Sequence, residues 1–186
     1  GLARGSMVDV LRVLADQCGV HEIPVWWDLD WREVSWPDDN VYEAVVLPAI
    51  HGAELIAGTE AELGRLIGGD PATAVARLIE AGQVENVLLK TGPRGAMFYS
   101  AGRGEGIEMP AVATNIVSTV GAGDTLAGAL AHARLRGESW SDALAFAMRA
   151  AAWTVGQPGC SGGFPTAAQV MTMPEPAPHR VPTSKG

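Results

Sequence analysis

The chain has 186 residues, 47% of them hydrophobic and 18% charged, and a formal net charge of -8. That length buries one good core and hardly two, and the composition is that of a globular chain rather than a disordered one. The acidic balance disfavours a nucleic-acid partner, because neutralising phosphates takes clustered Lys and Arg.

Three further exclusions follow from composition. No run of about 18 uninterrupted apolar residues exists to span a bilayer, which predicts a soluble protein with no membrane partner. Cys18 and Cys160 lack metal-ligand or Cys-x-x-Cys spacing, so reduced thiols in a cytoplasm are expected rather than a disulfide or zinc site. Residues 1–6 hold neither an initiator Met nor a charged-then-apolar leader, so they are either an expression scar or the interior of a longer chain, and the second is favoured.

In chain order, Met7, Val10, Leu11, Leu14 and Cys18 recur at helical spacing and predict an amphipathic helix ending near Gly19. Ile23 to Leu29 is apolar and rich in strand formers, and it runs into the polar group Asp28, Asp30 and Arg32. In open α/β sheets ligands bind beyond the carboxyl ends of strands, so these three are substrate-contact candidates or a solvated Asp/Arg pair. Trp26, Trp27, Trp31 and Trp36 are read as packing in preference to a sugar platform.

Val41 to Ile50 predicts a short helix and Ala53 to Ala57 a buried strand. Thr59 and Glu62 form a Thr-x-x-Glu capping box that opens the next helix, and Asp70-Pro71 opens another that runs to Ala81-Gly82. Asn86 to Thr91 predicts a third strand, and Ala96 to Ser100 its hairpin arm across Gly92-Pro93-Arg94-Gly95. Strand alternating with helix is a parallel α/β pattern. Ala101 to Gly106 is read as a turn and Ile107 to Pro110 as a short edge strand. A helix follows Asp124 as far as about Arg136-Gly137, another starts at Ser139 to Ser141, and Thr166 with Gln169 caps a last one. His132 is read as surface or packing, and residues 173–186 as a disordered tail.

The centre of the chain is Val117-Ser118-Thr119-Val120-Gly121-Ala122-Gly123-Asp124-Thr125. Its glycines permit a sharp turn, and a long Ala/Leu-rich helical pattern begins directly behind them. The first N–H groups of a helix lack internal partners and the helix dipole adds positive potential, so Gly121, Ala122 and Gly123 can present donors to a phosphate. A carboxylate at Asp124 suits the group that takes a hydroxyl proton. The same letters also describe an ordinary loop with Asp as N-cap.

This stretch resembles the Asp-Thr-x-Gly-Ala-Gly-Asp signature of the ribokinase-like, or phosphofructokinase-B, sugar kinases. Ser118 stands where the signature has its first Asp, a residue that in some relatives helps hold a monovalent cation. The resemblance implies a three-layer α/β/α fold with a mainly parallel sheet, truncated at its N-terminus, in which residues 1–172 form the nucleotide-binding and catalytic part. It makes Asp124 the catalytic base and the amides of Gly121, Ala122 and Gly123 an anion hole.

Asp28-Leu29-Asp30-Trp31-Arg32 with Trp36 resembles a segment of the sugar-acid kinases, which implies Asp30 and Arg32 as substrate contacts beside Asp124. Gly58-Thr59-x-x-Glu62 resembles the form found in 5-dehydro-2-deoxygluconokinases, implying that Glu62 organises Mg²⁺ through water. Lys90, Gly92 and Gly95 fall in a turn that resembles the family's segment beside the nucleotide phosphates and ribose. Met148, Ala152 and Gly159 fall where family members hold adenine.

The implied cofactors are ATP and Mg²⁺, the partner a small sugar or sugar acid, and the resemblance allows a homodimer in the complete enzyme. The reading is an ATP-dependent kinase of 5-dehydro-2-deoxygluconate or 2-keto-3-deoxygluconate whose present segment is inactive alone. The alternative is a non-catalytic nucleotide-binding remnant without an acceptor half. A dinucleotide-dependent dehydrogenase is disfavoured, since no Gly-x-Gly-x-x-Gly follows a first strand with an acid about 20 residues on.

Overall fold

The computed structural model describes residues 6–36, 38–102, 105–159 and 161–182. Six strands form one sheet in the order β1-β2-β3-β4-β5-β6, over Trp26–Asp28, Ala53–Thr59, Val84–Lys90, Ala96–Ser100, Glu105–Met109 and His179–Pro182. Among the described residues seven α-helices accompany them: α1 Ser6–Val20, α2 Asp39–Ile50, α3 Glu60–Ile67, α4 Pro71–Glu80, α5 Ala122–Leu135, α6 Trp140–Val155 and α7 Ala167–Val170. The chain divides into two compact units, one within residues 1–91, 98–106 and 182–186, the other within 92–97 and 107–181.

In the first unit β1, β2 and β3 are parallel, with Trp27 opposite Ile56, Ile56 opposite Val87 and Thr59 opposite Lys90. Parallel strands run their carboxyl ends to one edge of the sheet, which gathers Asp28, Thr59 and Lys90 there. Such strands are covered on both faces and read as nearly continuous apolar runs. Accordingly Leu55, Ile56, Val87 and Leu88 are at most 2% exposed, and Leu63, Leu66 and Leu78 of the helices are fully buried. Truncating one of these leucines to Ala costs about 2–5 kcal/mol.

Three differences from the expected elements have local causes. β1 covers only Trp26–Asp28, because Pro24 has no N–H for a ladder and Ile23 is exposed. α2 begins at Asp39 because the Asp38 carboxylate accepts the Val41 N–H at 2.9 Å. Gly106 belongs to β5 rather than to a turn, and its missing Cβ is what lets the Tyr99 ring lie within 3.0 Å of that position.

In the second unit α5 packs on α6 through small side chains. Ala133, Ala143, Ala147 and Ala150 are at most 1% exposed, beside the fully buried Leu144. Arg149 is anchored by donating to the Met171 carbonyl at 2.8 Å. The segment from 173 onward, expected to be disordered, supplies β6 at the edge of the sheet, so β5 lies between two strands and is not the edge. Residues 183–186 of that tail, and Cys160, lie outside the described residues. Among the described residues no helix is long and apolar enough to cross a membrane.

Candidate functional site

The sequence candidates fall in both units. Asp28, Asp30, Arg32, Glu62 and Lys90 lie in the first, and Gly92, Gly95, Gly121 to Asp124, Met148, Ala152 and Gly159 in the second.

In the second unit, Gly121 adopts a left-handed conformation, φ 84°, as N-cap of α5, with no side-chain cap. That backbone region suits glycine and disfavours any residue with a Cβ. Asp124 is therefore the third residue of the helix and not its N-cap, and its side chain is exposed. Ser118 stabilises the turn by accepting the Val120 N–H at 3.3 Å. The Ala122 N–H makes a long bond, 3.3 Å, to the Thr119 carbonyl, and Thr125 N–H donates to Gly121 O at 2.9 Å. Between them, the amides of Gly123 and Asp124 have no backbone acceptor among the described residues. Two unengaged N–H groups at a helix N-terminus beside an exposed carboxylate can hold an anion and accept a proton.

A hydroxyl pair that the sequence reading missed lies beneath the turn. Thr125 donates its O–H to Gly121 O at 2.8 Å, and its oxygen lies 2.9 Å from that of Thr154. Thr125 sits inside the recognised motif, but nothing local marks Thr154 as its partner. From Asp124 a cleft of about 340 Å³ runs along α5, walled by His132, Phe146 and Phe164. The His132 ring stacks on Phe146 with centroids 5.8 Å apart, in keeping with a packing role.

The other second-unit candidates differ among themselves. Gly95 is buried with φ 111°, and a Cβ there would come within 2.1 Å of Met109 O, so packing against the end of β5 accounts for it. Gly92, φ 59°, and Gly159, φ 87°, are exposed. Met148 and Ala152, four residues apart on one face of α6, are each 5% exposed, which leaves a base little surface to rest on.

In the first unit the charged candidates satisfy one another. Lys90 Nζ meets Asp28 Oδ1 at 2.5 Å with the lysine side chain only 16% exposed, and Arg32 Nε meets Asp30 at 2.8 Å in the open. Lys90, expected beside phosphate, is thus already engaged by a carboxylate 62 residues away. Trp31 lies under the Arg65 guanidinium at 3.9 Å, and Arg65 grips Asp39 through 2.9 and 3.1 Å bonds, which ties the segment after β1 to α2 and α3.

Glu62 completes the expected capping box, its Oε2 accepting Thr59 N–H at 2.7 Å and its own N–H donating to Thr59 Oγ1 at 3.3 Å. Its other carboxylate oxygen makes no hydrogen bond among the described residues, so capping leaves it available to a cation's water shell. Among the described residues no three His, Cys, Asp or Glu side chains form a metal cluster.

A cavity of about 160 Å³ lies at the end of β1, lined by Trp27, Asp30, Trp36 and Tyr42 among others. Tyr42 is 2% exposed and its hydroxyl has no hydrogen-bond partner among the described residues. Burial, and then the negative charges of Glu62 and Asp30, push its pKa well above the usual tyrosine range.

Known proteins resemble this chain in sequence and in fold. The chain is 28% identical over 156 residues to a 5-dehydro-2-deoxygluconokinase of Listeria monocytogenes serotype 4b, covering 82% of this chain and 47% of that protein. It is 26% identical over 153 residues to the Bacillus subtilis protein of the same name, with 81% and 46% covered. The chain thus spans about half the length of the curated relatives it matches.

Among solved structures, Arabidopsis thaliana ribokinase complexed with ribose and ATP aligns with TM-score 0.73 and 26% identity over 89% of this chain and 52% of its own. An aminoimidazole riboside kinase of Salmonella enterica, bound to its riboside and an ATP analog, aligns with TM-score 0.81 and 20% identity over 92% and 59%. The fold is ribokinase-like α/β/α. With residues 2–167 matching the description pfkB family carbohydrate kinase, and the glycine turn and its exposed aspartate inside that span, the chain belongs to the pfkB family of carbohydrate kinases.

Proposed function

We propose that this chain carries the phosphate-holding and proton-accepting side of an ATP-dependent kinase acting on a hydroxyl of a sugar or sugar acid. The first choice of acceptor is 5-dehydro-2-deoxygluconate, the second 2-keto-3-deoxygluconate. The observation that carries the reading is the left-handed Gly121 turn, which leaves the Gly123 and Asp124 amides unengaged and Asp124 exposed in the first turn of α5.

The donor set fits a phosphate, and the free oxygen of Glu62 fits the water shell of Mg²⁺. Mg²⁺, when bound, supplies charge neutralisation at the transferring phosphoryl group. The residues of this chain do the positioning. The amides of Gly123 and Asp124 hold phosphate oxygens, and the Asp124 carboxylate takes the acceptor's hydroxyl proton as the new O–P bond forms and the bond to the ADP oxygen breaks. Arg32 is the acceptor-side candidate, because its planar fork matches a carboxylate, although its present partner Asp30 competes for it.

The reading places phosphate chemistry here and leaves much of the acceptor pocket to sequence that the relatives carry beyond this length. The 186-residue chain is accordingly expected to bind MgATP weakly and to turn over acceptor at well under about 1 s⁻¹, the low end for kinases. Calorimetry with MgATP and a coupled ADP-release assay over a panel of sugar acids test this. Absence of any MgATP binding overturns the proposal, and acceptor-dependent turnover near 1 s⁻¹ shows that the chain needs no further part.

A further inference from the structure

We infer that Thr154 is a positioning residue for the anion-binding turn, acting on Gly121 through the hydroxyl of Thr125. The inference rests on the phosphate-holding role proposed for that turn. A threonine hydroxyl carries one hydrogen. That of Thr125 is spent on Gly121 O at 2.8 Å, since a carbonyl only accepts. The 2.9 Å contact between the two hydroxyl oxygens is then a hydrogen bond only if Thr154 donates and Thr125 accepts. Were Thr154 to turn its proton to a carbonyl of its own helix, two buried oxygens would face each other with no proton between them.

The direction is therefore fixed as Thr154 to Thr125 to Gly121, and it runs through the interior. Thr154 is 0% exposed and Thr125 8%. Gly121 O accepts twice, from the Thr125 amide at 2.9 Å and from the Thr125 hydroxyl. A peptide group is planar, so holding that oxygen also sets the plane of the Gly121–Ala122 peptide, the unit from which the chain runs into the two following peptides that carry the Gly123 and Asp124 N–H groups. Glycine in a left-handed turn has no side chain to hold it, and this relay supplies the missing restraint.

The next residue of α6 holds the other arm of the turn. Val155 O accepts from the amides of Val117 at 2.7 Å and Ser118 at 3.1 Å, so the last turn of α6 fixes the chain both entering and leaving the turn. Donors held in place before the ligand arrives lose less freedom on binding, which is the ordinary source of tight anion sites.

The test compares Thr154→Val, which keeps the shape and deletes the donor, with Thr154→Ser, which keeps the donor. Amide hydrogen exchange of residues 121–125 is followed by NMR on the 186-residue chain without ligand, and MgATP affinity by calorimetry. The Val variant is expected to exchange the Thr125 amide about tenfold faster and to bind MgATP about tenfold more weakly, a change worth about 1.4 kcal/mol. Thr154→Ser is expected to restore both to within threefold of wild type.

Unchanged Thr125 protection in the Val variant overturns the inference, as does a Ser variant that behaves like Val, which would assign the effect to methyl packing. Should Thr154→Val not fold, the unaltered chain decides. A slowly exchanging Thr154 hydroxyl proton close to the Thr125 side chain is expected, and its absence removes the relay. If wild type binds no MgATP, the kinase reading fails, while the exchange comparison still decides the relay by itself.

Discussion

The turn at Gly121 to Asp124 and the charged segment at Asp28 to Arg32 treat their polar groups in opposite ways. At the turn the backbone is fixed from below and two amides have no backbone acceptor among the described residues. At the segment after β1 the formal charges are paired, Lys90 with Asp28 and Arg32 with Asp30, and Arg65 with Asp39 beside them. A ligand reaching the turn meets donors in need of acceptors. One reaching Lys90 or Arg32 must first displace a carboxylate. Affinity is thus expected to come mainly from neutral backbone donors, and the charged side chains to add selectivity once released.

The strongest way to break this comparison is at Asp124. Asp124→Asn removes the proposed proton acceptor and leaves the backbone donors, so on the proposed kinase reading acceptor-dependent turnover of a full-length enzyme is expected to fall by about 10²–10⁴-fold while MgATP affinity moves little. The side chain does not cap α5, so the helix has no cap to lose. A turnover within threefold of wild type would remove Asp124 as the base.

Gly121→Ala attacks the backbone half of the same turn. A Cβ at φ 84° costs about 1–2 kcal/mol, to be seen as a lower urea midpoint, and MgATP binding should weaken by about tenfold. If stability falls and nucleotide affinity does not, the turn is structural and the anion is held elsewhere.

Asp28→Asn sharpens the other side of the comparison by releasing Lys90 from its 2.5 Å partner. If Lys90 is a phosphate ligand held in reserve, MgATP binds about fivefold tighter, roughly 1 kcal/mol, with the gain shrinking as salt is raised. Unchanged affinity at low and high salt would make the pair a fastening between the ends of β1 and β3 and nothing more.

What was legible in the sequence was what depends on neighbours a few residues apart. The capping boxes of Thr59 with Glu62 and of Thr166 with Gln169 and the Asp70 cap before Pro71 all stand as read, because each is a bond across three residues or fewer. The family followed from one contiguous motif. Illegible were contacts made by distant chain. Thr154 meets Thr125 across 29 residues and Asp28 meets Lys90 across 62, and β6 owes its strand form to a neighbouring strand, not to its own four residues. Of the two readings of Asp124, the alternative one as N-cap gives way, because a left-handed glycine three residues earlier caps α5.

The smallest predicted effect lies at Tyr42, in the first unit, where the Tyr42 hydroxyl and the Trp31 indole N–H are buried polar groups left without a partner among the described residues. Its hydroxyl is buried without a hydrogen-bond partner among the described residues, edge-on to Trp36 with ring centroids 4.9 Å apart. Leaving a buried donor unmet costs about 1–3 kcal/mol, so Tyr42→Phe, which deletes only that oxygen, is expected to stabilise the chain by up to about 1 kcal/mol at pH 7. The pH dependence separates this from simple repacking. Folding raises the Tyr42 pKa above its unfolded value of about 10, which favours the neutral phenol in the folded state. The contribution is therefore fully present below about pH 10 and is lost as pH rises past that value towards the folded one. Wild type should lose stability on this alkaline limb and Tyr42→Phe should lose less, so the gap between their urea midpoints widens from pH 9 to pH 10.5. A Phe variant less stable than wild type at pH 7, with parallel curves above pH 9, would mean that the hydroxyl has a partner in solution.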